Sequence, residues 1–322
     1  MMSEQTAVSV RLLDLGHGVN CLDTELQRSG LASCYLVVDD GEAAFIDCGT
    51  ANSLPLLLAA LRRKGLDSDA LRYVIPTHVH LDHAGGAGAL MAACSQATML
   101  VHPRGARHMI DPGKLQQGAL AVYGEERFAR LFGELQAVPE QRVVSAAEGQ
   151  RFTLGKREFE IIDTPGHARH HFCIHDPASE GIFTGDTFGA SYPELNSGRA
   201  RFIFPPTTPI QFDPEAWIES LDKLMAYAPR RMYLTHFGMQ EEPEALAALL
   251  RQFIEEYADL ARELAGQDKR LATLESALMQ HSINYLLDQQ CGRSPEQIRD
   301  ILAMDMALNA QGLDHWLSTQ TP

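Results

Sequence analysis

The sequence predicts an α/β or α+β sandwich, with sheets inside and helices outside. Three observations carry this prediction. Short apolar runs alternate with turns over the first two hundred residues, strand pairs there are interspersed with helical stretches, and Gly or Pro follows most of the runs. After Gly238 the composition shifts to Ala, Leu, Glu, Gln and Arg, and apolar residues recur at helical spacing. At 322 residues the chain suits one large domain, or one domain with an appended subdomain. The shift places the boundary between 1–240 and a helical subdomain, 241–322.

The elements follow in order. "VSVRLLDL" at 8–15, "CYLVVDD" at 34–40 and "AAFIDCG" at 43–49 read as strands, and the turn Asp39-Asp40-Gly41 joins the last two as a hairpin. "LPLLLAALRRKG" reads as a helix stopped by Gly65. "LRYVIPTH" and "ATMLVHP" are the next strands, and "RHMIDP" opens a longer irregular region. "REFEIIDTPGH", "FCIHD" and "GIFTGD" are three further strands. "DPEAWIESLDKLMAYAP" is a helix, with Asp213 as N-cap, Pro214 at its first position and Pro229 just beyond its end. "RRMYLTHFG" is the last strand. Beyond Glu241 the spacing of Leu246, Leu249, Leu250, Phe253 and Ile254 predicts helix, and the tail reads as four or five helices without strands.

Composition narrows the function classes. The start of the chain lacks a basic stretch followed by an apolar core, and the longest apolar run is far too short to cross a bilayer, so no membrane association is expected. The six cysteines (Cys21, Cys34, Cys48, Cys94, Cys173 and Cys291) are scattered without a CxxC, as for reduced, buried thiols of a cytoplasmic protein. The formal charge of −15 counts against a nucleic-acid partner, which depends on basic patches. A small-molecule substrate is the expected partner.

"VIPTHVHLDHAGG" at 74–86 puts His78, His80, Asp82 and His83 within six positions, directly after an apolar run. Four ionisable groups next to a core are costly unless something binds them, and metal ions would. Two histidines two apart on an extended segment face the same side. Asp82 and His83 can turn toward the same hollow, and the small residues from Ala84 to Gly88 let backbone pack closely around it. Downstream, "DTPGHARHH", "GIFTGDTF" and "RMYLTHFG" place His167, Asp186 and His236 at the ends of three apolar strands. His102, after a strand, reads as a hydrogen-bonded structural histidine.

The pieces THVHLDH, TPGH, FTGD and LTHFG, in that order, with FIDCG before them, resemble the metallo-β-lactamase-fold hydrolase superfamily from about Val8 to Gly238. The resemblance implies a four-layer αββα sandwich as the catalytic domain. It also implies two divalent metal ions, one held by His78, His80 and His167, the other by Asp82, His83 and His236, with Asp186 bridging both opposite a bridging hydroxide that attacks the substrate. Asp82 and Asp186 are then the catalytic carboxylates, and Asp47 fixes a ligand loop or is a plain turn aspartate. The ligand set has no thiolate, which suits zinc, iron and manganese alike; zinc is the first choice on general frequency. Family members often carry a histidine four positions after the TPGH ligand, which here is His171, a candidate hydrogen-bonding support.

"GASYPELNSGRARFIFPPTTPIQFDP" follows Asp186 and has the composition of a pocket-shaping loop. Tyr192, Arg199 and Arg201 are candidate substrate contacts there, with Phe202 and Phe204 as walls. The tail from Glu241 resembles in placement the C-terminal helices of glyoxalase II-like thioesterases. In that group the tail covers the site and binds part of the substrate; no clear counterpart of its substrate-binding basic residues stands here, Lys269 and Arg270 being candidates in name only, and packing or homodimerisation through the amphipathic faces is the alternative. "FTGDTF" and the tail favour a thioester or related small acyl substrate. Lactone and phosphodiester hydrolysis stay open, as do two other classes on the same fold: a diiron oxidoreductase and a non-catalytic ligand-binding regulator.

Overall fold

The computed structural model describes residues 10–196, 201–207 and 210–320. They fall into two compact units: Met1–Ile162 with Ile174–Phe183, and Asp163–Cys173 with Thr184–Pro322.

The first unit begins with four antiparallel strands, β1 (Leu12–Asp14), β2 (Val19–Asp23), β3 (Ser33–Asp39) and β4 (Glu42–Ile46). Asp40 and Gly41 both take positive φ, +47° and +81°, so the β3–β4 connection is the two-residue turn the Asp-Asp-Gly sequence predicts. Helix α1 (Leu54–Arg63) carries the chain to β5 (Leu71–Ile75), which pairs parallel to β4. The short helices α2 (Leu81–Ala84) and α3 (Ala87–Ala93) lead to β6 (Thr98–Val101), again parallel. Helices α4 (Pro103–Ile110), α5 (Gly113–Tyr123) and α6 (Glu125–Phe132) precede β7 (Val143–Ser145), and the seven strands lie in sequence order.

Apolar side chains of α1 and α3, among them Leu57, Leu61 and Leu90, pack with Leu36, Phe45 and Val74 of the sheet into one buried cluster. No glycine closes α3. The Arg142 guanidinium does so, donating to the carbonyls of Met91 (2.7 Å), Cys94 (2.6 Å) and Ala97 (2.7 Å).

The region expected to be irregular after "RHMIDP" is helical instead. The His102 side chain accepts from the Arg104 N–H (3.0 Å) and so caps α4. Gly124, at φ +73°, separates α5 from α6. Pro112, Gly113, Gly118 and Gly124 punctuate a stretch of good helix formers, and each break reads as loop when the packing of Phe128, Leu131 and Phe132 is not in view.

The strands β8 (Arg151–Leu154) and β9 (Arg157–Asp163) form a hairpin, as do β10 (Phe172–Asp176) and β11 (Gly181–Gly185). In the second unit, α7 (Pro214–Met225) starts as predicted, with the Asp213 carboxylate accepting from Ala216 N–H at 3.1 Å. A further hairpin, β12 (Arg231–Leu234) with β13 (Gly238–Gln240), follows.

From Pro243 the described residues form three helices rather than four or five: α8 (Pro243–Glu263), α9 (Arg270–Asp288) and α10 (Pro295–Gln320). Gly312 lies buried inside α10, where packing absorbs the roughly 1 kcal/mol that an interior glycine costs. None of the described helices is long and apolar enough to cross a membrane.

Candidate functional site

In the first unit the site residues hang on Asp47, which follows β4 at φ +53° and is buried. Its Oδ1 accepts from the Thr77 N–H (2.8 Å) and hydroxyl (2.9 Å), and its Oδ2 accepts from His83 Nδ1 (2.8 Å). A carboxylate can only accept, so His83 carries its proton on Nδ1 and presents a bare Nε2, 3.7 Å from Asp82 Oδ2. Thr77 spends its hydroxyl proton on Asp47 and can then accept from His78 Nδ1 at 3.3 Å. That leaves His78 Nε2 facing His80 Nδ1 at 2.7 Å. Cys48 donates to the His83 carbonyl (3.1 Å), and burial, with the Asp47 charge behind it, holds its thiol well above the usual range. It is a packing group there, not a nucleophile.

In the second unit the Pro165-Gly166-His167 turn is clamped by α7. Ser220 donates to the Pro165 carbonyl (2.6 Å), Lys223 to the Asp163 carbonyl (2.8 Å), and the Trp217 ring stands edge-on to His167. His167 Nδ1 donates to the Pro206 carbonyl at 2.7 Å, which turns its bare Nε2 toward Asp186 Oδ2, 3.3 Å away. The other oxygen, Asp186 Oδ1, faces His236 Nε2 at 3.7 Å. His171 Nε2 accepts from the Asp186 N–H (3.1 Å). Its Nδ1 therefore carries the proton, within reach of Thr164 Oγ1 (2.9 Å) and Thr187 Oγ1 (3.0 Å).

Gly166 is at φ +134°, and a Cβ there would meet the backbone and Cβ of Trp217, 2.7 Å from its nitrogen. Gly166→Ala is therefore expected to destabilise the fold by roughly 1–3 kcal/mol from overpacking alone. Thermal unfolding checks this; an unchanged midpoint would show that the α7 clamp yields easily.

The donor chemistry fits divalent ions. In both units neutral imidazoles are locked by a hydrogen bond at one nitrogen, and the other nitrogen is aimed at a carboxylate oxygen or a second imidazole. Two lone pairs facing each other at 3.3 Å, as on His167 and Asp186, repel unless a cation or proton lies between them. These histidines and aspartates are able to hold metal ions, and their nitrogen and oxygen donors do not choose among zinc, iron and manganese.

The remaining candidates are placed as follows. Tyr192, expected to touch substrate, is buried, and its hydroxyl donates to Asp305 Oδ1 of α10 at 2.8 Å. Arg201 is exposed and pairs with Glu242 at 3.1 Å. Arg199 lies outside the described residues. Phe202 and Phe204 stack on each other, and Phe202 also packs against Phe253 and Tyr285. Arg270 is paired with Asp314 at 2.6 Å. Sequence reasoning missed Thr77, Thr164, Thr187 and the Pro206 carbonyl. The first three are threonines beside ligand-type residues, a weak signal, and a backbone carbonyl leaves no signal at all.

The chain is similar to known proteins. The Metallo-beta-lactamase superfamily profile matches residues 28–236. The metallo-beta-lactamase fold-containing protein ST1585 of Sulfurisphaera tokodaii is 28% identical over 228 residues, 70% of this chain and 79% of its own length. Its crystal structure superposes with a TM-score of 0.58 at 23% identity, covering 84% of this chain and 93% of that one, and shows the shared fold. The human acyl-coenzyme A thioesterase MBLAC2 is 29% identical over 181 residues, 53% of this chain and 64% of its own. The hydroxyacylglutathione hydrolase of Cupriavidus taiwanensis is 32% identical over 207 residues, 63% of this chain and 59% of its own. With a profile that spans most of the chain and begins ahead of the β3–β4 hairpin, the chain belongs to the metallo-β-lactamase superfamily.

Proposed function

We propose that the protein is a binuclear metal-dependent hydrolase of the glyoxalase II-like branch, acting in the cytoplasm on a thioester or related small acyl substrate. One observation carries the reading. In the first unit His78 Nε2 faces His80 Nδ1 at 2.7 Å and His83 Nε2 lies 3.7 Å from Asp82 Oδ2, and in the second unit Asp186 turns one oxygen to His167 (3.3 Å) and the other to His236 (3.7 Å). In this reading His78, His80 and His167 would hold one ion, and Asp82, His83 and His236 would hold the other. Asp186 would be shared by both, since its two oxygens face His167 and His236. Zinc is the first choice, with iron or manganese as alternatives. Residues 1–240 are the catalytic part and 241–322 a helical subdomain.

When bound, two such ions supply Lewis acidity at the acyl oxygen and lower the pKa of a coordinated water from about 15.7 toward about 7. The chain's own residues supply the rest. Asp47 fixes the His83 imidazole, His171 fixes the Asp186 backbone, and Asp82, about a quarter exposed, orients the incoming water at its carboxylate. The thioester preference draws on two relatives, one named for thioester hydrolysis and the other for hydrolysis of an acylglutathione. All six cysteines are buried thiols, which supports a reducing compartment.

The test is a screen of thioesters, lactones and phosphodiesters with protein of defined metal content. Turnover fastest on thioesters is expected; a metal-loaded protein inert on all three classes would sink the hydrolase reading. His78→Ala is expected to lower metal content and activity together, while far-ultraviolet circular dichroism stays as in the wild type. Wild-type metal content and activity in this variant would remove His78 from the ligand set.

A further inference from the structure

Two polar side chains one turn apart on α10 reach segments that are hydrogen-bonded to His167 and to the His236 backbone. Asn309 is 2% exposed, and both polar atoms of its amide bond to one short stretch of chain. Its Oδ1 accepts from the Thr207 N–H (2.8 Å), its Nδ2 donates to the Pro205 carbonyl (3.1 Å), and its own backbone carbonyl accepts from the Thr207 hydroxyl (3.0 Å). These bonds bracket Pro206, whose carbonyl accepts from His167 Nδ1. Pro205 and Pro206 have no N–H, so this stretch cannot be pinned through donors of its own before Thr207. Asn309 supplies from outside what the two prolines lack. One turn earlier, Asp305 holds the Tyr192 hydroxyl. The preceding Ser191 donates its N–H to the His236 carbonyl and accepts from the Phe237 N–H at 3.3 Å.

We propose that Asn309 is a positioning residue for the His167 imidazole: through Pro205–Thr207 it aims the Pro206 carbonyl that fixes which ring nitrogen is left for a metal. Asp305 steadies the His236 backbone in parallel, so α10 sets metal ligands as well as packing. This rests on the binuclear reading. A leucine at 309 would fill the same volume, so the buried amide is explained by the direction it imposes on the loop. A buried amide is otherwise costly unless all its bonds are made.

The experiment compares wild type, Asn309→Leu and Asn309→Asp. Zinc affinity is measured by chelator competition, with nitrogen-15 spectra of the His167 ring in metal-free protein. Asn309→Leu is expected to weaken one of two zinc ions by about 10-fold or more, the range seen when a group orienting a ligand is removed. Its His167 should exchange between ring tautomers, where the wild type shows only the Nδ1-protonated form. Asn309→Asp keeps the acceptor for Thr207 N–H and should recover most of the affinity. A lowered unfolding midpoint with unchanged zinc affinity and a single His167 tautomer would make Asn309 merely structural and overturn the proposal. A wild type that takes up two ions, beside an equally tight Asn309→Leu, overturns the brace alone. A wild type that takes up none overturns the binuclear reading, and the brace falls with it.

Discussion

Asp186→Ala is expected to leave fewer than two metal ions per chain and to lower kcat/KM by about 10³-fold or more. Asp186 is 3% exposed, and its two oxygens point to two different imidazoles, His167 at 3.3 Å and His236 at 3.7 Å. Removing a group that only orients a ligand costs about 10–100-fold in metal affinity. Losing a carboxylate that the proposed function shares between two ions should exceed that at both positions, because it would also remove the negative charge that offsets two dications. A single preorganised electrostatic group at a reacting oxygen is worth about 10²–10³ in rate, so loss of ions and rate together gives the larger figure. Metal analysis after dialysis, with kinetics on the best thioester, checks both. Asp186→Asn separates charge from shape, because the amide keeps the volume and the backbone N–H held by His171. Two ions retained per chain in Asp186→Ala would end the bridging assignment.

How legible this was in the sequence depends on how local each contact is. His78, His80, Asp82 and His83 stand out because the fold takes them from one short stretch, the loop after β5 and helix α2, so their proximity is written into the spacing. His171 follows His167 by one short turn, and its hydrogen bond to the Asp186 backbone is a short step from that spacing. The β3–β4 turn and the start of α7 were legible for the same reason, since a cap or a tight turn is settled within four residues. Tyr192 and Asn309 were not. Their partners lie 113 and 102 residues away, and neither residue has a period or motif to announce it. The helices of 103–132 were lost for a different reason: Gly and Pro break them into pieces of 8 to 11 residues, too short for a periodic signal to outweigh the turn chemistry.

Removing Asp176 alone is expected to cost about 3–5 kcal/mol of stability, the range for stranding one member of a buried ion pair. Asp176 and Arg157 are 0% and 4% exposed at their side chains. Arg157 Nε donates to Asp176 Oδ1 at 2.7 Å and its Nη2 donates to Asp176 Oδ2, so the fork is bidentate. The guanidinium also donates to the His17 carbonyl and lies over the Phe159 ring, while Ser179 donates to the carboxylate. Each polar atom of the pair is thus engaged within a dry setting, and Asp176→Ala leaves a guanidinium there that cannot shed its charge. The double variant Arg157→Met with Asp176→Leu removes both charges and fills the volume, and it should recover most of the loss. Urea unfolding of wild type, single and double variants decides between these accounts. A single variant that loses under about 1 kcal/mol would mean the pair behaves like an exposed one. A double variant no more stable than the single would mean that the loss comes from packing around β9 and β10 rather than from the stranded charge.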